Sequence, residues 1–308
     1  MKALLFPGQG SQIVGMGSEF YNNFDYVKKI FAEADEKLKF KISKIILEGP
    51  DQDLKLTQNT QPAILTVSYA IFQTFKKEFG FKVDEFQYFA GHSLGEYSAL
   101  VCAESLNFND ALYLVHERGK EMQNAVPAGE GAMLAVLGTD IDKITNLINQ
   151  LKNKKVCEIA NDNSKGQTII SGDIVSINHF VDLLKQNRIK FIKLPVSAPF
   201  HCSLMKTAAE KMQDKIKLTN FKSPLVEIIT NVNASPETDP NIIKGLLIKQ
   251  IYSKVRWRES ILHMQSNNIK EFIEIGPGKV LAGLVKRINS ELNTLSINSI
   301  NDIKNINK

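Results

Sequence analysis

One turn, Gly91-His92-Ser93-Leu94-Gly95, limits what this chain can fold into more than any other stretch. Before it, Phe86-Gln87-Tyr88-Phe89-Ala90 is short, aromatic and strand-like. After it, Glu96 to Ala103 carries small and apolar residues at helical spacing. Strand, Gly-x-Ser-x-Gly and helix in that order form a nucleophile elbow. Glycine is needed at both flanks because the strand and helix backbones nearly touch there and leave no room for a Cβ. Ser93 is thereby held at the tip with its hydroxyl outward. The N–H of Leu94, at the first helical turn, points into the same space. An oxygen gaining negative charge there would meet a donor and the positive end of a helix dipole. Taken alone the pentapeptide is equally a plain turn, so the rest of the chain has to supply its partners.

The 308 residues suffice for two domains, or for one large domain carrying an insertion. With 43% hydrophobic and 23% charged residues, the chain can bury a sizeable core. A net charge of +5 is mild. It does not point to nucleic acid and suits an acidic partner or substrate. Cys102, Cys157 and Cys202 lie far apart and read as reduced thiols. The five histidines are equally scattered, so neither a metal site nor a cofactor is expected. The apolar run before Pro7 is too short for a signal peptide, and no stretch approaches a membrane span. A monomeric cytoplasmic enzyme is expected, with no nucleic-acid or membrane partner.

Lys2 to Phe6 reads as a buried strand, followed by the loop Pro7-Gly8-Gln9-Gly10-Ser11-Gln12 and a helix from about Gly15. Ile13 stands where a dinucleotide loop needs its third glycine, and no Gly-Lys-Ser/Thr follows. What remains is a tight loop that lets the backbone and the Gln9 amide approach a ligand, or a plain strand-to-helix turn. Helices are expected over Tyr26–Leu38 and Ile42–Leu47. A longer one is expected to open with Thr60 as cap and Pro62 in its first turn, and to end at Gly80. Asn109 caps a helix through Gln123, on which Leu114, Arg118 and Met122 share the apolar face. Arg118 either snorkels to solvent or pairs with an acid such as Glu121, or it is a fork for a ligand carboxylate.

Beyond the linker Val126–Gly131 the pattern becomes β-α-β-β-α-β up to Leu194, the order of a ferredoxin-like unit. Its polar loop Asn161 to Gly166 joins the two middle strands. Pro127 and Pro195 flank it, which marks residues 127–195 as an inserted small subdomain. The expected architecture is α/β: an α/β-hydrolase-like large subdomain with a parallel sheet, residues 1–126 and 196–308, plus this inserted ferredoxin-like subdomain. His201 follows a Pro-containing loop at a helix start, where a ring can be aimed into a cleft, so it is the candidate base. His116, His179 and His263 sit in helices without a motif, and His92 should point away from its neighbour Ser93. The tail from Asn298 is rich in Asn, Ile and Lys and is expected to fray.

Phe6-Pro7-Gly8-Gln9-Gly10-Ser11-Gln12, the elbow with Glu96 and Tyr97, Arg118-Gly119-Lys120-x-Met122-Gln123, Leu194-Pro195-Val196-Ser197, His201-Cys202 and Gly276-Pro277-Gly278-Lys279 occur together and in order. In these segments, and over nearly its whole length, the chain closely resembles malonyl-CoA:acyl carrier protein transacylases of bacterial fatty acid synthesis. It is similar also to the acyltransferase domains of polyketide synthases. The resemblance implies Ser93 as nucleophile and His201 as its base, oriented by a backbone carbonyl at the position of Gln250. It implies Gln9 and the Leu94 N–H as the oxyanion hole and Arg118 as the grip on a malonyl carboxylate. Asn163 and Gln167 match residues near the substrate entrance. Leu94 and Phe200 are similar to the choices of malonyl-type members, although many bacterial members carry a small residue where Phe200 stands.

The chemistry so implied is ping-pong transfer from malonyl-CoA to acyl carrier protein through a malonyl-serine, with the guanidinium one acyl length from the hydroxyl. Two other classes compete. An esterase or thioesterase would need an acid between Ser93 and His201, for which Asp162 and Asp173 have the right order but an unfavourable place. A non-catalytic scaffold would have no use for Ser93, His201 and Arg118 together.

Overall fold

The computed structural model describes residues 1–152, 154–196 and 198–306; Ser197 of the Leu194–Ser197 segment lies outside the described residues. Its first strand, β1 (Lys2–Phe6), is central because both of its faces are apolar. Leu4 and Phe6 point into the larger of two cores, and Ala3 and Leu5 into the other. Strands alternate their side chains, so a strand apolar on both faces must be covered on both. In chain order the first part continues with helices α1 (Ser18–Asn23), α2 (Asp25–Leu38), α3 (Ile42–Glu48), α4 (Asp51–Leu54) and α5 (Thr57–Phe79). Strand β2 (Tyr88–Gly91), α6 (Gly95–Cys102) and α7 (Phe108–Asn124) complete it. The middle part is β3 (Gly131–Leu137), α8 (Ile141–Gln150), β4 (Cys157–Ser164), β5 (Gln167–Asp173), α9 (Ile174–Gln186) and β6 (Lys190–Lys193). The last part is α10 (Lys206–Leu218), β7 (Glu227–Ile229), β8 (Pro236–Glu237), α11 (Pro240–Gln250), α12 (Trp257–Ser266), β9 (Glu271–Ile275), α13 (Val280–Ile288), β10 (Asn293–Ile297) and α14 (Ile300–Ile306).

Two separate sheets result. One runs β10-β9-β1-β2-β7-β8, parallel throughout except for β8, which turns back on β7. The other runs β4-β5-β3-β6 and is antiparallel, with its own core of Leu134, Val136, Ile170, Ile177, Phe180 and Leu184. The fold is therefore mixed α/β. Among the described residues no helix is long and apolar enough to cross a membrane, and no group of three His, Cys, Asp or Glu is placed to hold a metal.

Several local expectations change. The helix expected from Thr60 starts at Thr57, which leaves Pro62 inside it. Proline lacks an N–H, so the Gln58 carbonyl loses its helical donor; His116 Nδ1–H supplies a replacement at 2.9 Å. Thr60 is no cap, and its hydroxyl instead bonds the Leu54 carbonyl. The cap of α7 is Asn107, whose side chain accepts from the Asn109 N–H. The polar run Asn161–Ser164 is no loop but the end of β4, because it pairs with β5 on one side, Asn161 with Ile169, Asp162 with Thr168 and Ser164 with Gln167, and with Val255 on the other: Val255 N–H bonds Ala160 O, and Asp162 N–H bonds Val255 O. After His201 comes a short 3-10 turn, Ser203–Met205, before α10. The tail is not frayed over its described part: Ile300–Ile306 form α14 behind β10, and the full burial of Ile297 and Ile303 offsets the ordering of a polar segment, while Asn307 and Lys308 lie outside the described residues.

Candidate active site

The elbow is built as its glycines require. A Cβ on Gly91 would lie 1.9 Å from the Gly95 carbonyl carbon, and one on Gly95 would lie 2.2 Å from the Phe6 oxygen. No side chain fits there. Ser93 itself sits in the left-handed region at φ 54°, a conformation that persists only where the surroundings over-determine it. Asn231, at the end of β7, provides that support: its Oδ1 accepts from Ser93 N–H at 2.7 Å and its Nδ2 donates to Gly91 O at 2.6 Å. Gly95, Glu96 and Tyr97 N–H groups bond back to His92, Ser93 and Leu94 carbonyls. Leu94, the cap residue of α6, lines the cleft.

Three groups meet at the tip. Ser93 Oγ lies 2.8 Å from His201 Nε2 and 3.1 Å from Arg118 Nη2. His201 Nδ1 lies 2.9 Å from the Gln250 main-chain oxygen. A carbonyl only accepts, so the proton is on Nδ1, and Nε2 is bare to receive the Ser93 hydroxyl proton. Burial, with the Arg118 charge second, pushes the His201 pKa down to about 3. The ring is thus neutral across the physiological range. Asp162 is engaged by Arg258 and Asp173 caps α9, so neither acid stands behind the histidine.

Arg118 is buried to 1% exposure on the inner face of α7. It does not snorkel and does not pair with Glu121, which Lys211 holds. Its Nη1 donates to Gln61 Oε1 at 2.7 Å, and its Nη2 donates to Gln250 Oε1 at 2.8 Å as well as to Ser93. The guanidinium is therefore in direct contact with the hydroxyl, closer than one acyl length. Neutral amide oxygens orient it without discharging it, while its Nε has no partner. Glu96, fully enclosed behind the elbow, accepts through Oε2 from Asn231 N–H and Gln250 Nε2, and burial pushes its carboxyl up to about 7. Gln250 Nε2 also donates to Ser93 O. One glutamine thus touches the serine backbone, the histidine ring, the guanidinium and the buried acid.

Gln9, Leu94, Met122, Met133, Asn163, Ile169, Val196 and Phe200 line the cleft around these groups. Asn163 also bonds His92, whose Nε2 is 2.9 Å from Asn163 Oδ1, and His92 lines the same cleft as Ser93 and His201. Gln167 is not brought to the cleft; it begins β5 and its Oε1 accepts from Arg287 at 3.5 Å. Asn231, Gln61 and the side chain of Gln250 escaped notice in the sequence, and Glu96 enters there only as part of the elbow motif, without a role. The available signal was position: Asn231 follows a parallel strand at its carboxyl end, where open α/β sheets place their sites.

A strained serine, a carbonyl-oriented histidine and a buried guanidinium in one cleft define an acyl-transfer site. The chain belongs to the acyl transferase domain family, which it matches over residues 3–304, and it is an acyltransferase. Proteins similar to it include the following. A malonyl CoA-acyl carrier protein transacylase from Bacillus subtilis (strain 168) is 47% identical over 297 residues, covering 96% of this chain and 92% of that protein. The crystal structure of an acyl-carrier-protein S-malonyltransferase from Bartonella henselae superposes with a TM-score of 0.96 at 40% identity, covering 99% of this chain and 98% of the other. A malonyl-transacylase solved with a type II polyketide acyl carrier protein gives 0.94 at 38% identity, over 98% and 97% of the two chains.

Proposed function

We propose that this chain transfers the malonyl group of malonyl-CoA to the phosphopantetheine thiol of acyl carrier protein, by a ping-pong route through a malonyl-serine, and so supplies fatty acid synthesis in the cytoplasm. The observation that carries it is the sharing of Ser93 Oγ between a bare imidazole nitrogen and a buried guanidinium. His201 Nε2 takes the Ser93 proton as Oγ attacks the thioester carbonyl. The oxyanion rests on Leu94 N–H and the Gln9 amide. Collapse breaks the C–S bond, and coenzyme A leaves with the proton from His201. The carrier thiol then repeats the sequence in reverse on the serine ester, with the same histidine as base.

Arg118 selects the acyl group. Both Nη2 hydrogens are engaged, one on Gln250 and one on Ser93 Oγ. A malonyl carboxylate takes over the second, which frees an Oγ lone pair as it fixes the substrate. Charge-assisted bonds of this kind contribute roughly 1.5–3 kcal/mol each, enough to prefer malonyl over acetyl. Asn163 and Phe200 shape the entrance, with Gln167 further out. We read the two sheets as an α/β-hydrolase-like large subdomain, residues 1–126 and 196–308, and a ferredoxin-like insertion, residues 127–195; the spatial order of the second sheet supports the latter. We take it to act as a monomer.

Intact mass tests the proposal. Wild-type protein mixed with malonyl-CoA should gain one malonyl unit and lose it on addition of carrier protein. Ser93→Ala should gain nothing, and labelling retained in that variant would remove Ser93 as nucleophile.

A further inference from the structure

We propose that Glu158, on β4 of the second sheet, is a positioning residue for His201, acting through Ser203. The inference rests on the assignment of His201 as base.

His201 has its backbone at φ 57°, in the left-handed region. A non-glycine residue held there costs on the order of 1–3 kcal/mol and keeps the conformation only if its neighbours enforce it. Two contacts of the Pro199–Ser203 loop with the second sheet supply the enforcement. Before the histidine, Pro199 packs on Gly131 of β3, where a Cβ would fall 2.4 Å from the proline Cδ. After it, the Glu158 carboxylate takes both donors of Ser203: the N–H at 2.9 Å and the hydroxyl at 2.5 Å. The loop also closes on itself through the Cys202 thiol, which donates to Pro199 O at 3.1 Å. The ring's own bonds, to Ser93 and Gln250, fix its tip. They do not fix the backbone from which it hangs. Glu158 does this, and a carboxylate at the N–H end of the Ser203 turn is also favoured by the helix dipole beyond it. The second sheet thus supports the backbone of a base whose ring partners, Ser93 and Gln250, lie with the first sheet.

Removing the anchor lets the loop relax and the imidazole drift. A misplacement of ~1 Å at a reacting group costs on the order of 10²-fold in rate, so partial relaxation should cost about tenfold. The test is steady-state transfer from malonyl-CoA to holo carrier protein, with Tm recorded for each full-length variant. Glu158→Ala should lower kcat about tenfold with KM for malonyl-CoA unchanged. Glu158→Gln, which keeps one acceptor, should restore most of kcat. Ser203→Ala should lower kcat several-fold, and the double variant Glu158→Ala/Ser203→Ala should be no slower than Glu158→Ala. Wild-type kcat in Glu158→Ala and Ser203→Ala overturns the inference, as does full additivity of the two. If Glu158→Ala does not fold, Ser203→Ala and Glu158→Gln decide: wild-type kcat in Ser203→Ala overturns it. His201→Ala serves as reference. Should that variant turn over at the wild-type rate, it is the assignment of the base that fails, not the anchor.

Discussion

Gln250 does two things with two different groups, and the groups can be separated. Its main-chain oxygen orients His201, and its side chain holds Arg118. Gln250→Ala keeps the main-chain oxygen and removes the side chain, with its bonds to Ser93 O and Glu96 as well as the one to Arg118. The base should stay in place while the guanidinium loses one of its orienting acceptors. The ratio of kcat/KM for malonyl-CoA to that for acetyl-CoA is expected to fall about tenfold, the equivalent of one such bond; an unchanged ratio would detach Gln250 from selectivity. Glu96 gives a second residue-level prediction. Its carboxyl is raised from 4.5 to about 7 in the folded protein, chiefly by burial. A group raised on folding contributes stability that is full below its unfolded pKa and is lost as pH rises through the folded one. His201, lowered to about 3, acts with the opposite sign, and Glu274, raised to about 7, with the same sign as Glu96. The difference between wild type and Glu96→Gln isolates the one group. Its Oε1 has no partner, so an amide nitrogen fits there while Oε2 keeps its two donors. The Tm of wild type relative to Glu96→Gln should fall as pH rises from about 4.5 to about 7 and then level off. A difference constant over that window would mean Glu96 titrates normally.

Elements were legible where one local rule decided them. The elbow needed only two glycines and a strand before them, and its crowding is a backbone matter that no repacking can relieve. Gly95→Ala is therefore expected to destabilise by about 3 kcal/mol or more, at or beyond the usual range for overpacking, and to abolish the Ser93 adduct; a urea midpoint within error of wild type would contradict the elbow geometry. Amphipathic α2, α8 and α9 were equally plain in the chain, because burial and period agreed. What escaped was set by distant partners. Pro62 reads as a helix start until His116, on another helix, is known to rescue the Gln58 carbonyl. Asn161–Ser164 reads as a loop until β5 on one side and Val255 on the other pair with it. The C-terminal tail reads as frayed because its few apolar residues meet a core formed by residues far earlier in the chain. In the site the same division holds. Ser93, His201 and Arg118 announce themselves by motif or by conflict with their surroundings, whereas Asn231 and Gln61 are ordinary amides until folding brings them to the elbow and the guanidinium.

At the scale of the whole molecule the cleft lies along a seam between two sheets, so its shape depends on how firmly they are joined. The seam has a backbone part, the pairing of Val255 with Ala160 and Asp162, and an ionic part. Arg258 on α12 grips Asp162 with Nε and Nη2 at 2.8–3.1 Å. Asp162 is 1% exposed and Arg258 29%. Removing one partner of a buried pair strands the other charge, which typically costs 3–5 kcal/mol. Because the arginine is partly in water, a discounted figure of about 2 kcal/mol is the expectation for Arg258→Ala. Asn163, next to Asp162, lines the cleft and bonds His92 on the elbow, so loosening the seam should also slow acylation of Ser93. Arg258→Lys should recover little of either, because an ammonium cannot make the two-pronged contact. Urea midpoints together with single-turnover acylation rates check both halves. If the midpoint falls but the acylation rate holds, the seam stabilises the fold without shaping the cleft, and the coupling through Asn163 and His92 is absent. If neither moves, the ionic pair adds nothing to the seam, and its other contacts, the Val255 pairing, Glu158 with Ser203 and Pro199 on Gly131, hold the two sheets together.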